Sequence, residues 1–347
     1  MKTNLPKHIL VIRLSAMGDV AMTVPVLREV SKNYPEIKIT VLSRAFLKPL
    51  FDDIQNVSFY AADVNGKHKG ASGLFTLYKE LKQLNIDAVA DLHDVLRSKI
   101  LRTYFKIGGI KTFNIDKGRK EKKALTKHEN KVFKQLKTTH ERYANVFRSF
   151  GFKIDLSNPI FPSKQSLPTI ISEEIHFDEK DILIGIAPFA QHQPKMYPLD
   201  QMEIVISKLE KEKNVKVLLF GGGKKEVELL NKVSDKFDNV YNVAGKIKLK
   251  DELALISNLN CMLSMDSGNG HFSAMLGIPT ITIWGATHPY AGFIPFAQNE
   301  ENWLLPDLEK YPKIPTSIYG NKQVEGYEDV MLSISPEAIV NKIKKYI

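Results

Sequence analysis

The chain has a single cysteine, Cys261, among 347 residues. An internal disulfide and a cysteine cluster for a metal are therefore excluded, and the apolar neighbours of Cys261 make it a buried structural thiol. No apolar run reaches the ~20 residues of a spanning helix. The N-terminal stretch His8-Ile-Leu-Val-Ile-Arg-Leu14 is followed almost at once by Asp19, too soon for a secretory h-region, so cytoplasmic residence is expected. The three-glycine spacing of a dinucleotide turn is missing. So is the phosphate loop, because Phe220-Gly-Gly-Gly-Lys-Lys-Glu226 lacks its spacing and reads as a strand-to-helix turn. These absences argue against ATP hydrolysis and against an NAD-dependent oxidoreductase. Met265 stands where a G-x-S-x-G nucleophile motif needs glycine, so Ser267 has little support as a nucleophile. No motif of a DNA- or RNA-binding module occurs, and nucleic acid is not an expected partner.

Hydrophobic residues at 43% and charged residues at 25% are those of a globular protein, and the length suits two domains. The formal charge is +10. Part of it is concentrated in Lys117, Arg119, Lys120, Lys122, Lys123, Lys127, Lys131, Lys134 and Lys137, opposed there only by Glu121 and Glu129. Such a run is either a surface for an anionic partner or a solvated basic loop, and composition does not separate the two.

Short continuous apolar runs alternate with helical patterns, as in parallel sheets built from βαβ units and covered on both faces. Strands are expected at 9–14, 38–43, 57–61, 88–92 and 111–115, and again at 182–187, 216–220, 240–243, 261–265 and 280–284. Between the two sets lies 157–181, rich in proline, serine and charge, which reads as a linker. The expected organisation is an N-terminal Rossmann-like domain over 1–165, a linker over 166–180 and a C-terminal Rossmann-like domain over 181–347. In this α/β, doubly wound arrangement, ligand binds at strand C-termini in a cleft that the two domains face. The last segment, 335–347, reads as a helix capped by Ser335 with Pro336 at its first position, available to pack back on the first domain.

Two segments carry candidate chemistry. Arg13-Leu-Ser-Ala-Met-Gly-Asp-Val20 follows a strand and opens a helix, with Gly18 for the turn and Asp19 at the sheet mouth. Asp19 reads either as a catalytic carboxylate or as a helix cap. Pro25 then kinks the following helix or starts a new one. Ser264-Met-Asp-Ser-Gly-Asn-Gly-His-Phe272 again joins a strand to a helix, expected at 272–276. Its small residues and free amides suit a diphosphate, with Asp266 or His271 available to a ribose, a sugar hydroxyl or a phosphate. Lys195, in Pro194-Lys-Met-Tyr-Pro198, offers a positive charge to a leaving diphosphate. Asp91, His93 and Asp94 are a weak metal-site pattern, since only His93 and one acid would share a direction at a strand end.

In order, these segments resemble glycosyltransferase family 9, the ADP-heptose:lipopolysaccharide heptosyltransferases. The resemblance spans most of the chain. It rests on Ile9-Leu-Val-Ile-Arg-Leu-Ser-Ala-Met-Gly-Asp-Val20, Asp91-Leu-His-Asp-Val-Leu-Arg-Ser98, Lys195-Met-Tyr-Pro198, Gly221-Gly-Gly with Glu226, and Asn242-Val-Ala-Gly245. It continues through Asp266-Ser-Gly-Asn-Gly-His271 and Gly277-Ile-Pro279 to Trp284-Gly-Ala-Thr-His-Pro289. It implies a GT-B architecture and inverting heptosyl transfer from ADP-heptose to a lipopolysaccharide inner-core acceptor, with no obligatory metal and no cofactor. On this resemblance Asp19 is the general base, and Lys195, Glu226, Asp266, Ser267, Gly268 and His271 hold the donor. Ser15, Gly18, His93, Arg97, Arg119, Lys122 and Lys123 face the anionic glycolipid acceptor, and the chain touches the inner face of the cytoplasmic membrane. His93 is the next candidate base should Asp19 fail. The sequence departs from the family pattern at Phe189 and at Tyr197, which replaces a common tryptophan. Alternatives are a same-fold transferase or epimerase using another nucleotide sugar, and a non-catalytic glycan- or lipid-binding protein, against which intact Asp19, Lys195, Asp266 and His271 argue.

Overall fold

The computed structural model describes residues 5–347. The chain forms two compact units, the first running to Lys117 and adding Thr139–Ile160, the second combining Gly118–Thr138 with Phe161–Ile347. The basic segment thus groups with the second unit.

In the first unit β1 (His8–Ile12) is followed by α1 (Met17–Ala21), α2 (Val24–Asn33), β2 (Lys38–Ser43), β3 (Val57–Ala61), α3 (Gly70–Lys82), β4 (Ala88–Asp91), α4 (Leu96–Ile107) and β5 (Lys111–Asn114). After the inserted segment, which holds α5 (Arg119–Leu125), α6 (Thr139–Arg148) returns and packs on α2. Pro25 begins a fresh helix, standing in the first turn of α2, where its missing N–H leaves no helical bond unmade. All five strands are parallel, in the order β3-β2-β1-β4-β5. The apolar run Ile9–Ile12 is fully buried, as a central strand covered on both faces requires. One face is closed by Leu74, Leu77 and Leu81 of α3 and Leu101 and Phe105 of α4, packed on Leu10, Ile12, Leu42 and Val89.

The second unit adds α7 (Thr169–Glu174), a helical turn inside the proline-rich segment, and then β6 (Ile182–Ala187), α8 (Leu199–Leu209), β7 (Val215–Leu219), α9 (Lys224–Ser234) and β8 (Val240–Asn242). It continues with α10 (Leu249–Ile256), β9 (Cys261–Met265), α11 (Gly268–Met275), β10 (Thr280–Ile283), a two-residue β11 (Trp303–Leu304) and α12 (Pro336–Ile343). The parallel order is β11-β10-β9-β6-β7-β8. Renumbered within the unit this is 6-5-4-1-2-3, the Rossmann order. Ser335 caps α12, its Oγ accepting the Ala338 amide at 3.2 Å. The apolar side of that helix, Ile339, Val340 and Ile343, is buried in the core of the second unit with Met202, Val205 and Leu209 of α8. Among the described residues no helix is long and apolar enough to cross a membrane.

Candidate functional site

Strand order reverses between β1 and β4 in the first unit and between β6 and β9 in the second. At such switch points the loops leave in opposite directions and open a crevice at the strand C-termini. Ser15, Gly18, Asp19 and His93 lie at the first of these places, and Lys195, Asp266, Ser267, Gly268 and His271 at the second.

In the first unit the loop after β1 carries Ser15, the short α1 that follows carries Gly18 and Asp19, and the loop after β4 carries His93. Arg13 is buried. Its guanidinium contacts the Asp19 Oδ2 at 2.6 Å and donates to the Leu92 carbonyl at 2.8 Å, bridging the two loops. The Ala16 amide also donates to the Asp19 Oδ2, at 3.3 Å. Asp19 therefore does the work of a cap, but all its contacts fall on Oδ2, and Oδ1 has none among the described residues. The fully buried Tyr143 donates its hydroxyl to the Asp19 carbonyl at 3.2 Å, and its ring lies 5.9 Å from the Arg13 guanidinium carbon. Burial works against the charge of Arg13, but Tyr143 and Asp19 outweigh it and raise its pKa, so the residue stays cationic.

His93 accepts the Leu14 amide on Nδ1 at 3.4 Å, which assigns the ring proton to Nε2. Burial, and then the charges of Arg13 and Lys117, push its pKa down to about 3. A neutral ring with so low a pKa is a weak base at neutral pH and has its Nε2 proton to donate. Arg97, in the first turn of α4, adds to the same positive field. The weak metal pattern dissolves: the Asp91 Oδ1 accepts the His93 and Asp94 amides at 3.0 and 2.9 Å, while Oδ2 takes Arg102 at 3.0 Å. Asp91 is a turn cap, and burial raises its pKa. Among the described residues no three histidines, cysteines or acids are grouped to hold a metal ion.

In the second unit Lys195 comes from a short 3-10 turn after β6, and Asp266 follows β9. Lys195 Nζ lies 2.8 Å from the Asp266 Oδ2, and Thr287 donates its hydroxyl to the same oxygen at 2.9 Å. Here too Oδ1 carries no contact among the described residues. The helix beyond, α11, starts at Gly268 rather than at 272, so Gly268, Asn269 and Gly270 supply its first amides and His271 is buried in its first turn. Ser267 Oγ is buried with no hydrogen-bond partner among the described residues. A Cβ at Gly270 would stand 2.5 Å from Ser264 Oγ, so close packing on β9 disfavours a side chain there. Glu252 of α10 accepts the Asn269 side-chain amide at 3.0 Å, and burial pushes its pKa up to about 7.

Glu226 stands apart from this pair. In the first turn of α9 it accepts the Gly222 amide at 2.8 Å and folds the glycine turn onto the helix. Tyr197 is a core residue: its ring is buried, its hydroxyl donates to the Ile334 carbonyl at 2.8 Å, and burial pushes its pKa up to about 12.

The basic run is anchored rather than free. Leu125 and Leu136 bury against Ala291, with Tyr290, Phe293 and Ile318 around them. Lys122 Nζ lies 4.1 Å from the centre of the Phe293 ring, and Lys131 donates to the carbonyls of Lys313 and Ile314 at 2.7 and 2.9 Å. Arg119, Lys122 and Lys123 all belong to α5 in the second unit. The sequence pattern assigns no role to Arg13, Tyr143, Thr287 or Glu252. Only Arg13 had a local signal, a charge closing an apolar strand.

Residues 74–321 match the sequence model of glycosyltransferase family 9 (heptosyltransferase). The chain belongs to that family. Among its relatives, the lipopolysaccharide core heptosyltransferase OpsX of Haemophilus influenzae is 27% identical over 83% of this chain and 81% of its own length. Lipopolysaccharide heptosyltransferase 1 of Campylobacter coli is 26% identical over 97% of this chain and 98% of its own. The fold is shared with the ADP-heptose lipopolysaccharide heptosyltransferase II of Escherichia coli, at a TM-score of 0.70 and 18% identity, covering 98% of each chain. As a family 9 glycosyltransferase the chain has the expected GT-B pair of parallel α/β units.

Proposed function

We propose that this enzyme transfers heptose from ADP-heptose to an anionic inner-core lipopolysaccharide acceptor, with inversion at the anomeric carbon. The donor and acceptor classes are those named for its relatives. The observation that carries the division of labour is the placing of one carboxylate with an open Oδ1 at each switch point, one on Arg13 and one on Lys195. Asp19 lies outside the stretch matched by the family model, so its role rests on this geometry.

In this reading the Asp19 Oδ1 takes the proton of the acceptor hydroxyl, whose oxygen attacks the anomeric carbon. The bond from that carbon to the diphosphate breaks, and its electron pair leaves with ADP. Lys195 and the first amides of α11, at Gly268 and beyond, stabilise the departing charge, with Ser267 and His271 as further hydrogen-bonding groups. Asp266 aims Lys195 and offers Oδ1 to the sugar. Glu226 serves the nucleoside at the glycine turn. Ser15, Gly18, His93 through Nε2, and Arg97 receive the acceptor, and Arg119, Lys122 and Lys123 add positive charge for its anionic groups. The acceptor is a glycolipid, so the enzyme works at the cytoplasmic face of the inner membrane.

A thermal-shift series tests the donor. ADP-heptose should raise the melting temperature more than UDP- or GDP-sugars, because a ligand bound only to the folded state stabilises it. A preference for NAD, or product analysis giving an epimerised nucleotide sugar without transfer, would overturn the reading.

A further inference from the structure

The outward side of α3 and α4, opposite the sheet they cover, has a composition that the reaction does not use. On α4, Leu96 and Ile107 are exposed, flanked by the exposed Lys99, Thr103 and Lys106, while Ile100 and Tyr104 between them are partly buried against the core. Leu96 and Ile107 are 76% and 80% exposed, the two most exposed large apolar side chains among the described residues. On α3, Phe75, Lys79 and Lys82 share one exposed side, Phe75 being 43% exposed, and Tyr78 beside them is partly buried against the core. The two helices are joined by their rings. Tyr104 lies 5.5 Å from Phe75 and 5.6 Å from Tyr78, and Tyr78 meets the buried Phe105 at 5.0 Å. Lys79 Nζ lies 4.7 Å from the centre of the Phe75 ring.

The charge on this side is of one sign. α4 has no acid, and α3 has only Glu80, whose carboxylate is taken by the Tyr60 hydroxyl at 2.5 Å, Lys67 at 2.6 Å and His68 at 3.0 Å. Lys99 reaches the buried Asp94 at 3.7 Å. Among the described residues, Lys79, Lys82 and Lys106 form no ion pair with an acid. Exposed aliphatic and aromatic side chains interleaved with lysines are the composition of a surface that settles into a lipid headgroup layer. A protein-binding hot spot is, by contrast, depleted of lysine at its centre.

We infer that the α3–α4 face is the surface by which this enzyme docks on an anionic lipid bilayer, Leu96, Phe75 and Ile107 entering the headgroup region and Lys79, Lys82 and Lys106 meeting its negative charge. This deepens the reading of a glycolipid acceptor by naming the membrane-contacting side, and it assigns that contact to α3 and α4 rather than to the basic run at 117–137.

The test is vesicle co-sedimentation of the full chain without donor or acceptor, so its outcome is independent of the sugar transferred. Vesicles of phosphatidylethanolamine and phosphatidylglycerol should bind the wild type, less as salt rises, and phosphatidylcholine vesicles should not. At about fivefold per lysine, the triple variant K79Q/K82Q/K106Q should lose about 100-fold in partitioning. Leu96→Ser with Ile107→Ser should lose about tenfold at unchanged melting temperature, because both side chains are already exposed. The comparator K120Q/K122Q/K123Q should bind like the wild type. Wild-type protein that ignores anionic vesicles, face variants that sediment unchanged, or a loss confined to the comparator would overturn the assignment. So would a concentration-dependent dimer abolished by the Leu96→Ser and Ile107→Ser pair, which would make the face a protein interface.

Discussion

The two switch points have the same topology and opposite electrostatic designs. In the first unit the Asp19 side chain is 26% exposed and its counter-charge, Arg13, is buried beneath it, six residues earlier on the same strand end. In the second unit Asp266 is 8% exposed, and its counter-charge comes from the loop of another strand. A carboxylate near the surface, braced from below through one oxygen, can exchange a proton with a hydroxyl bound above it. A buried carboxylate between a lysine and a threonine is a counter-ion that fixes where the lysine points. In the proposed function the same fold position thus serves as the base in one unit and as an aimed cation in the other.

The largest way to break this contrast is Asp19→Asn. Asparagine keeps an oxygen for Arg13 and for the Ala16 amide, so the protein should fold. It cannot take the acceptor proton, and turnover should fall roughly 10²- to 10⁴-fold in a steady-state assay. Lys195→Met comes next. It leaves Asp266 buried without its cation, and donor affinity should drop about 100-fold by calorimetry while unfolding free energy falls by about 3 kcal/mol in denaturant titration.

A smaller effect sharpens the second unit. The Glu252 pKa is raised in the folded state to about 7, above its ordinary 4.5. Its contribution to stability is therefore fully present below pH 4.5 and is lost as pH rises through about 7. Glu252→Gln should remove that slope, leaving the variant more stable than wild type at pH 8 by about 1–3 kcal/mol, measured by denaturant midpoints across pH. An unchanged slope would show that Glu252 titrates normally. Smallest of these is Lys131→Ala, which strips the carbonyls of Lys313 and Ile314 of their donor. It should cost about 1–2 kcal/mol and leave Asp19-dependent turnover intact. No loss would mean that the basic segment is not held to the second unit by this contact.

The strands were readable because fully covered parallel strands write continuous apolar runs, and most observed bounds fall within a residue or two of the runs. β11 was not, since two residues carry no periodicity. The start of α11 was misplaced by four residues because Gly-Asn-Gly has poor helix propensity, and tertiary packing of Gly270 on Ser264 overrides it. The basic run looked like a charge pattern alone, although Leu125 and Leu136 were the signal that it is bound down. Asp19, Lys195 and Asp266 could be picked out by their places after strands. Their partners Tyr143 and Thr287 lie 124 and 21 residues away in sequence and could be known only from the fold.

The division of labour is tested most directly by titrating ADP into Asp19→Asn and Lys195→Met side by side in one calorimetric experiment, with turnover measured on the same preparations. Asp19→Asn should bind ADP with the wild-type dissociation constant while its turnover collapses, and Lys195→Met should bind it about 100-fold more weakly. Wild-type turnover in Asp19→Asn, or a donor affinity lost in Asp19→Asn and kept in Lys195→Met, would contradict the assignment of base and donor anchor to the two switch points.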